Sequence, residues 1–361
     1  MTEPIRVVQW GTGNTGSVAL QAILNSPALE LAGVWARNPA YAAGALAGCA
    51  TPAPVWNDIE SVVAAAPDCV CYMATDRGRH QDVVAEFCRL LSAGINVVTT
   101  SYPMLVHPAG AGPDTQRRIE DACAAGGTSF LCTGVEPGFM ADALVLHLTS
   151  LSREITAIRV QEAMNVGTYR GRRWRSGLGN DVATDAQHYV AGSIAQNWMG
   201  PMTMLAEGLG ATLDRVYEVR EIEPAGRDFT VPAGTYRANQ VAALHFEVIG
   251  EVDGAPMFVI EHVYRLIDDI APHWPQPADP GRRTTRIRIA GSPDIDVDVA
   301  LGGAGLDATQ QGVLATVMRA VNAIPILVAA TPGMHSPLEL PLITGRAAIE
   351  RSMRRTNVGV G

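Results

Sequence analysis

The stretch IRVVQWGTGNTG, residues 5–16, decides how this 361-residue chain folds. An apolar run, Ile5–Trp10, leads into Gly11, Gly13 and Gly16, and an apolar helix-like segment follows. In this context the first glycine permits a tight turn, the second lets the backbone approach a pyrophosphate, and the third lets the helix pack on the strand. The motif therefore predicts a dinucleotide-binding turn. A glycine turn in another α/β fold is the alternative.

The first 150 residues repeat this pattern of a short apolar run followed by an amphipathic segment. The predicted strands are Ile5–Trp10, Leu29–Trp35, Cys69–Ala74, Ile95–Thr100 and Ser129–Thr133. The predicted helices are Ser17–Asn25, Ile59–Ala65, His80–Ala93, Pro113–Ala125 and Met140–Leu151. Such alternation predicts an α/β fold, a Rossmann-type doubly wound parallel sheet with helices on both faces.

The middle of the chain has a different pattern. Asp181–Gly208 is helix-like, and two strand pairs turn at Asp253-Gly254 and at residues 291–293. Hairpins make an antiparallel or mixed sheet, so this region predicts a second α+β domain. We assign residues 1–152 to the Rossmann domain, completed by a helix at about 306–330, residues 153–305 to a substrate and dimerisation domain, and 331–361 to a C-terminal tail.

A homodimer is expected from the second domain. Its strands Ala243–Ile249 and Val259–Leu266 predict a sheet with an apolar face, and an exposed apolar sheet face needs cover from a partner.

Composition excludes several classes of protein. The net charge is −9, so a broad nucleic-acid surface is not expected, and the basic run RGRRWR at 170–175 is too short to supply one. All 27 basic residues other than histidine are arginine, which excludes Schiff-base chemistry on a lysine. No His/Cys/Asp cluster has the spacing of metal ligands, so no metal site is predicted.

The chain is expected to be cytoplasmic and not membrane-bound. Six cysteines without a CxxC pair indicate reduced thiols, and Met1 leads almost directly into the first strand, which leaves no room for a signal peptide. The longest apolar stretch near the C-terminus is interrupted by Arg319, Asn322 and Pro325.

The cofactor site is predicted at the carboxyl ends of the parallel strands. Its residues are Gly11, Thr12, Gly13, Asn14, Thr15, Gly16, Arg37, Asn38, Ala74, Thr75, Thr99, Thr100, Ser101, Gly134 and Pro137. After the second strand, where NAD sites usually have an acidic residue, this chain has Arg37 and Asn38, which suit a 2′-phosphate. NADP is therefore the expected cofactor, with NAD as the alternative.

Four segments carry a resemblance to a known family. They are VVQWGTGNTG, NVVTTSYP, TGVEPGFMADAL and AVNAIPILVAATPG. With them the chain resembles proteins that share the N-terminal domain of dihydrodipicolinate reductase, most closely the 2,4-diaminopentanoate dehydrogenase and native amine dehydrogenase group. The resemblance is strongest in the first domain and weakest at about 165–300. It implies NAD(P)H use and hydride transfer to a C=N or C=O carbon of a small carbonyl or amine substrate.

Two departures from the family bear on the chemistry. Dihydrodipicolinate reductases carry a paired-histidine and lysine motif that this lysine-free chain lacks. Amine dehydrogenases usually have an acidic residue in a TCEEL-like segment, where this chain has Tyr102 and Pro103, while Glu136 stands where relatives tend to have asparagine. A carboxylate can stabilise and deprotonate ammonium and iminium species. Glu136 is therefore one catalytic candidate. Tyr102, as a phenolic donor to a carbonyl oxygen, is the other, and a purely structural role is the alternative for each.

Three functions fit these residues. The first is an NAD(P)H-dependent oxidoreductase that reduces a small carbonyl or imine, like the amine dehydrogenases. The second is an alcohol or hydroxy-ketone dehydrogenase on the same fold, and the third is a non-catalytic NADP(H) sensor. Polar residues of the second domain are expected either to line the pocket or to be half-buried structural groups: Glu162, His188, His245, Glu247 and His262. His107 is expected to be a loop histidine.

Overall fold

The computed structural model describes residues 3–46, 53–169, 177–278, 282–303, 307–346 and 348. The basic run at 170–175, Cys49 and most of the segment after residue 346 lie outside these residues. The described cysteines all have free thiols.

The described chain forms two main sheets with helices packed around them. The strands are β1 Ile5–Trp10, β2 Leu29–Trp35, β3 Val55–Trp56, β4 Cys69–Tyr72, β5 Asn96–Thr99, β6 Ser129–Cys132, β7 Glu154–Asn165, β8 Arg215–Pro224, β9 Phe229–Val231, β10 Gly234–Tyr236, β11 Val241–Val252, β12 Ala255–Arg265, β13 Arg283–Ser292, β14 Ile295–Leu301 and β15 Gly333–His335. The helices are α1 Asn14–Leu24, α2 Pro39–Leu46, α3 Ile59–Ala64, α4 His80–Ser92, α5 Pro113–Gly126, α6 Ala143–Thr149, α7 Val182–His188, α8 Ser193–Asn197, α9 Met199–Gly208 and α10 Ala308–Val328. Two short 3-10 helices span Pro103–Val106 and Pro108–Ala111.

The first sheet is parallel throughout and has the order β15-β6-β5-β4-β1-β2-β3. One face packs against α1 and α10, and the other packs against α4 and α5. Because both faces are covered, central strands such as β4 are buried at every residue. The predicted Rossmann-type doubly wound sheet is confirmed.

Two edge strands of this parallel sheet were not predicted. β3 is only two residues long, which is too short for a recognisable pattern. β15 lies in the segment expected to be a tail, and it pairs in parallel with β6, with Gly333 opposite Ser129. Residues 333–335 are therefore part of the parallel sheet.

The second sheet is mixed and has the order β14-β13-β7-β12-β11-β8. Its inner face, which we define as the face with Phe246, Phe258 and Ile260, packs in one apolar core with residues of α6, α8 and α9. The outer face carries ion pairs of Arg159 with Glu247 and Glu261. The expectation that β11 and β12 expose an apolar face is therefore wrong. Alternation turns Phe246, Phe258 and Ile260 inward, where helices of the same chain cover them, and the outer-face residues Ala243 and Val263 are buried in a cluster with Trp274.

The helical segments differ in detail from the prediction. Asp181–Gly208 is not one helix but three, and the chain turns at Gly192, which has a φ of +84°. α10 lies within the predicted range of about 306–330 and includes Pro325. Of the helices in the described ranges, α10 has the length and apolar composition of a membrane span. Its residues Val317 and Ile324 are buried in the core beneath the parallel sheet, a position in which such a composition is normal.

Candidate active site

The parallel strands bring most of the predicted cofactor residues to one edge. Gly11 N–H donates to Trp35 O at 2.8 Å, which joins the ends of β1 and β2. Thr99 Oγ1 donates to Tyr72 O at 2.9 Å, and Thr133 N–H donates to Thr99 O at 2.9 Å. These bonds place the loops after β1, β2, β4, β5 and β6 side by side at the carboxyl edge, where ligands of such sheets bind.

The glycine turn has the geometry that a pyrophosphate requires. Gly11 has a φ of +93°, and a side chain at Gly16 would lie 2.1 Å from Gly11 O. A side chain at Gly13 would meet nothing within 4 Å, so this backbone is open to a ligand. Thr12 lies in the turn, and Asn14 and Thr15 begin α1, whose N-terminal amides lack a side-chain cap and a first-turn carboxylate. The residues present fit a bound dinucleotide phosphate.

Arg37 and Asn38 follow β2 and are both exposed. Asn38 Oδ1 accepts a hydrogen bond from Ala40 N–H at 3.1 Å, at the start of α2. Among the described residues, no ion pair involves Arg37. Its guanidinium is therefore available to a ligand beside the end of β2.

The loops after β4 and β5 are joined by Ser101. Its Oγ donates to Ala74 O at 2.5 Å, and its backbone N–H donates to Thr99 Oγ1 at 2.9 Å. Thr75 is exposed beside them, and Thr100 is half-buried. These hydrogen bonds hold the loops after β4 and β5 together at the sheet edge where the cofactor is expected to bind.

Tyr102 has a left-handed backbone with a φ of +62°, which is uncommon for a residue with a side chain. Its ring stacks on that of His80, with centroids 4.3 Å apart and an interplanar angle of 7°. Burial, followed by the charge of Asp76, raises the pKa of the Tyr102 hydroxyl. The stack ties the loop after β5 to the start of α4.

Glu136 lies in the loop between β6 and α6, which also contains Gly134 and Pro137. A side chain at Gly134 would lie 3.3 Å from Thr316 Cγ2 of α10, so this loop passes close to that helix. The Glu136–Pro137 peptide bond is cis. The Glu136 side chain is 1% exposed and points to the inner face of the mixed sheet, where Arg283 Nη2 donates to its Oε2 at 3.1 Å.

Glu136 belongs to a buried group of polar side chains that we call the carboxylate cluster: Glu136, Glu162, His262, Tyr264 and Arg283. Arg283 Nε also contacts Glu162 Oε1. Glu162 Oε2 accepts from Tyr264 Oη at 2.9 Å and lies 3.0 Å from His262 Nδ1. The cluster thus joins a loop of the parallel sheet to three strands of the mixed sheet.

Arg283 contacts both carboxyl groups of the cluster, and the pKa values of these two groups shift in opposite directions. Burial alone would raise the pKa of Glu162, but Arg283 and the hydrogen bonds of His262 and Tyr264 outweigh it and lower that pKa to about 2. Burial, and next the negative charge of Glu162, hold the pKa of Glu136 well above its ordinary value. Glu162 is therefore the anion, and Glu136 favours its protonated form. Pairs of acids separated in this way are typical of acid–base sites.

Not all of the polar residues expected near the pocket join this cluster. Glu162 and His262 do, whereas His245 and Glu247 lie on the outer face with Arg159. His188 is exposed on α7, where its Nδ1 lies 2.7 Å from Thr184 O. His107 is a buried loop residue whose Nε2 lies 3.1 Å from Glu207 Oε2.

The sequence prediction missed two members of the cluster, Tyr264 and Arg283. Both stand on strands in which every second residue is buried and apolar. A polar residue at one of these inward-facing positions was the sequence feature that could have identified them. Tyr264 is two residues from His262, and Arg283 is two residues from Thr285, which also donates to Glu136 Oε2 at 3.3 Å.

Comparison with known families agrees with this architecture. Residues 5–113 match the oxidoreductase family with an NAD-binding Rossmann fold. Residues 139–357 match the C-terminal domain of 2,4-diaminopentanoate dehydrogenase. Fold, glycine turn and family match together define an NAD(P)-dependent oxidoreductase, as the sequence predicted.

The particular family follows from full-length relatives. An amine dehydrogenase from Streptomyces virginiae is 35% identical over 361 residues, which cover 97% of this chain and 99% of that protein. The 2,4-diaminopentanoate dehydrogenase of Acetoanaerobium sticklandii is 23% identical over 94% of both chains. The chain belongs to the amine dehydrogenase and 2,4-diaminopentanoate dehydrogenase family, and the predicted resemblance is confirmed.

A solved structure shares the fold of the whole chain. The amine dehydrogenase from Mycobacterium smegmatis superposes with a TM-score of 0.78 at 19% sequence identity, covering 95% of this chain and 97% of that one. The two-domain architecture is thus common to this chain and that enzyme.

Proposed function

We propose that this protein interconverts a small carbonyl compound and its primary amine with NADP(H), and that Glu136 moves the proton of the reaction. The observation that carries the proposal is the position of Glu136: a buried carboxyl group, on the loop after β6 at the carboxyl edge, whose Oε1 has no hydrogen-bond partner among the described residues. The amine substrates named for the relatives support the substrate class.

Reductive amination consumes a carbonyl compound, ammonia, NAD(P)H and a proton, and it yields an amine, NAD(P)⁺ and water. The bound nicotinamide would supply the hydride. The protein must supply an acid that protonates the departing hydroxyl of the carbinolamine and a base that takes a proton from the attacking ammonium. Glu136 suits both tasks because burial and the negative charge of Glu162 raise the pKa of its carboxyl group, which favours a proton that the group can give up and take back.

The proton of neutral Glu136 is expected on Oε1. Arg283 and Thr285 both donate to Oε2, so that oxygen is an acceptor only. An acid proton on the remaining oxygen is free to be given to a reacting group. Tyr102 is the second candidate donor, but its ring is engaged with His80, and we assign it a packing role.

The cofactor preference is a separate part of the proposal. Arg37 is exposed beside the end of β2 and has no carboxylate partner among the described residues, which favours a 2′-phosphate over a bare ribose. The other predicted cofactor residues are assigned to the phosphates, ribose and nicotinamide on the strength of the glycine turn and the shared edge.

We further propose that the protein is a cytoplasmic homodimer without nucleic-acid or membrane partners. Its apolar sheet face is covered internally, so a dimer would have to use the outer face with its ion pairs of Arg159. Light scattering at micromolar concentration tests the dimer, and a stable monomer contradicts it.

The test of function compares the unmodified protein with Glu136→Gln and, as a matched control, Tyr102→Phe. A panel of small ketones and aldehydes is supplied with NADPH, with and without ammonium chloride. We expect ammonium-dependent NADPH consumption, and a fall of about 10²–10⁴-fold in single-turnover hydride transfer for Glu136→Gln. Cofactor affinity should be nearly unchanged, and Tyr102→Phe should keep its activity.

Other results of this experiment would contradict the proposal. Reduction of a ketone without any stimulation by ammonium would identify a carbonyl reductase or alcohol dehydrogenase. Tight NADPH binding without turnover across the panel would identify a sensor. Equal hydride-transfer rates in the unmodified protein and Glu136→Gln would remove Glu136 from the mechanism.

A further inference from the structure

The side chain of His262 is fully buried in the carboxylate cluster, and one of its ring nitrogens has no hydrogen-bond partner among the described residues. The ring packs between Trp198 and Phe246, with centroid distances of 4.4 Å and 4.8 Å. These contacts cover the faces of the imidazole and leave its edges for polar contacts. Nδ1 meets Glu162 and Tyr264, whereas Nε2 is buried without a hydrogen-bond partner among the described residues.

The partners of Nδ1 decide which nitrogen carries the proton. Tyr264 Oη has a single hydrogen and lies 2.9 Å from Glu162 Oε2, which accepts it. Nδ1 lies 3.0 Å from the same carboxylate oxygen and must therefore be the N–H donor, since two acceptors would repel each other there. In the neutral ring, Nε2 is then a bare acceptor.

Glu136 shows the same division between an occupied and a free atom. Its Oε2 accepts from Arg283 and Thr285, and its Oε1 has no partner among the described residues. The two free atoms, Glu136 Oε1 and His262 Nε2, are 3.9 Å apart. This distance is too long for a direct hydrogen bond, but hydrogen bonds of about 2.9 Å from both atoms can meet on one small group between them.

We propose that Glu136 Oε1 and His262 Nε2 together bind the reacting nitrogen, which makes His262 a second catalytic residue, with Glu162 and Tyr264 as positioning residues that fix its tautomer. The inference rests on the proposed amine chemistry and extends it to a residue that the function itself does not require. In this subsite ammonia accepts the Glu136 proton through its lone pair and donates an N–H to Nε2. Ammonium donates to both atoms once Glu136 is ionised.

The chemistry of the pair favours ammonia or an amine over a carbonyl oxygen or an anion. A carbonyl oxygen has no hydrogen to give to Nε2, so it can satisfy only Glu136. An anion would face the bare lone pair of Nε2, and the nearby cation, Arg283, is already paired with Glu136 and Glu162. Ammonia, ammonium and a primary amine satisfy both atoms at once, and an N–H donor of this kind removes two buried unpartnered groups.

The kinetic test uses His262→Phe, which keeps a flat ring between Trp198 and Phe246 but removes Nε2. The matched control is His188→Phe, on the exposed side of α7. We expect the KM for ammonium to rise about 10- to 100-fold in His262→Phe, the loss of one hydrogen bond to a charged group. The KM for NADPH should be unchanged. His262→Gln, which retains a polar atom near the position of Nε2, should recover part of the ammonium affinity.

A test without turnover keeps the proposal separate from the function. In protein labelled with ¹⁵N-histidine, the His262 resonances are identified by their loss in His262→Phe. Methylammonium chloride should shift the Nε2 resonance of the unmodified protein and should do so far more weakly in Glu136→Gln. A shift in both proteins alike, or in neither, overturns the subsite.

The outcomes distinguish the two proposals. If ammonium stimulates turnover and Glu136→Gln is impaired while His262→Phe matches the unmodified protein, the role of His262 is wrong and the proposed function stands. If ammonium has no effect on turnover, the proposed function is wrong, and the methylammonium titration decides the subsite alone. If His262→Phe does not fold, His262→Gln gives the kinetic comparison and also identifies the His262 resonances for the titration of the unmodified protein.

Discussion

Arg283 Nη2 donates a hydrogen bond to Glu136 Oε2 at 3.1 Å, and this contact joins a loop of the parallel sheet to a strand of the mixed sheet. The same guanidinium also contacts Glu162. A single buried cation therefore compensates two carboxyl groups from different parts of the fold. The geometry of the proposed acid depends on a residue about 150 positions away in the chain.

Replacing Arg283 by methionine should destabilise the protein by about 3–5 kcal/mol near pH 7.5, because it leaves Glu162 as a buried charge without its cation. The double variant Arg283→Met with Glu162→Gln should recover part of this loss. Urea unfolding followed by circular dichroism gives the measurement. Arg286→Met is the control, since the partly exposed pair of Arg286 with Asp298 should be worth at most about 1 kcal/mol. An equal loss of unfolding free energy in Arg283→Met and Arg286→Met would show that burial of the cluster does not increase the contribution of its ion pairs to stability.

The buried carboxyl group of Asp142 should make the free energy of unfolding depend on pH. Burial raises the pKa of this carboxyl group from 3.8 to about 6, against hydrogen bonds from Ala143 and Gly138 N–H and the charge of Arg319. Between about pH 4 and pH 6 the folded protein thus binds more protons at this site than the unfolded chain does. The free energy of unfolding should fall as pH rises through this window, by about 3 kcal/mol from this group.

The measurement compares urea unfolding at pH 4.5 and pH 7 in the unmodified protein and in Asp142→Asn. At the lower pH the variant should be less stable than the unmodified protein. The two carboxyl oxygens of Asp142 accept from Gly138 N–H and Ala143 N–H, and in asparagine an NH₂ group takes the place of one of these oxygens. The pH dependence of the variant should also be flatter, because position 142 no longer titrates. The same slope in both proteins would show that Asp142 has an ordinary pKa.

Gly13 and Gly16 provide a pair of substitutions with different expected effects. An alanine side chain at position 13 meets nothing within 4 Å, and the φ of −72° suits it, so stability should change by less than about 1 kcal/mol. It would nevertheless stand where the pyrophosphate approaches, and the Kd for NADPH should rise at least tenfold. Gly16→Ala would lie 2.1 Å from Gly11 O and should lower both stability and affinity.

Thermal unfolding and calorimetric titration with NADPH measure both effects on the same samples. If Gly13→Ala binds NADPH as well as the unmodified protein, the glycine turn does not hold the pyrophosphate.

The sequence predicted the parallel sheet well because its glycine turn and buried strands are local signals. It failed where the signal is not local. β15 is three residues long and joins the sheet only by pairing with β6, slightly more than 200 residues earlier. The cluster shows the same limit: Glu162 and His262 could be named as polar residues of apolar strands, but their meeting with Arg283 depends on the register of β7, β12 and β13. Alternation along a strand predicts which face of the sheet a side chain occupies. Its neighbours on that face depend on how the strands pair, which the pattern does not predict.

Arg37 should decide which of the two nicotinamide cofactors binds more tightly. Its exposed guanidinium follows β2, beside the position at which the adenosine ribose of a bound dinucleotide is expected. Arg37→Ala should weaken NADPH binding by about 1–3 kcal/mol, the contribution of a hydrogen bond between charged groups. NADH has no 2′-phosphate, so its affinity should be nearly unchanged and it serves as the control ligand. Arg37→Asp should go further and favour NADH, because a carboxylate repels the phosphate and accepts hydrogen bonds from the ribose hydroxyls. Fluorescence titration of both cofactors against the three proteins gives the measurement. Tighter binding of NADH than of NADPH by the unmodified protein would show that Arg37 does not produce a preference for NADPH.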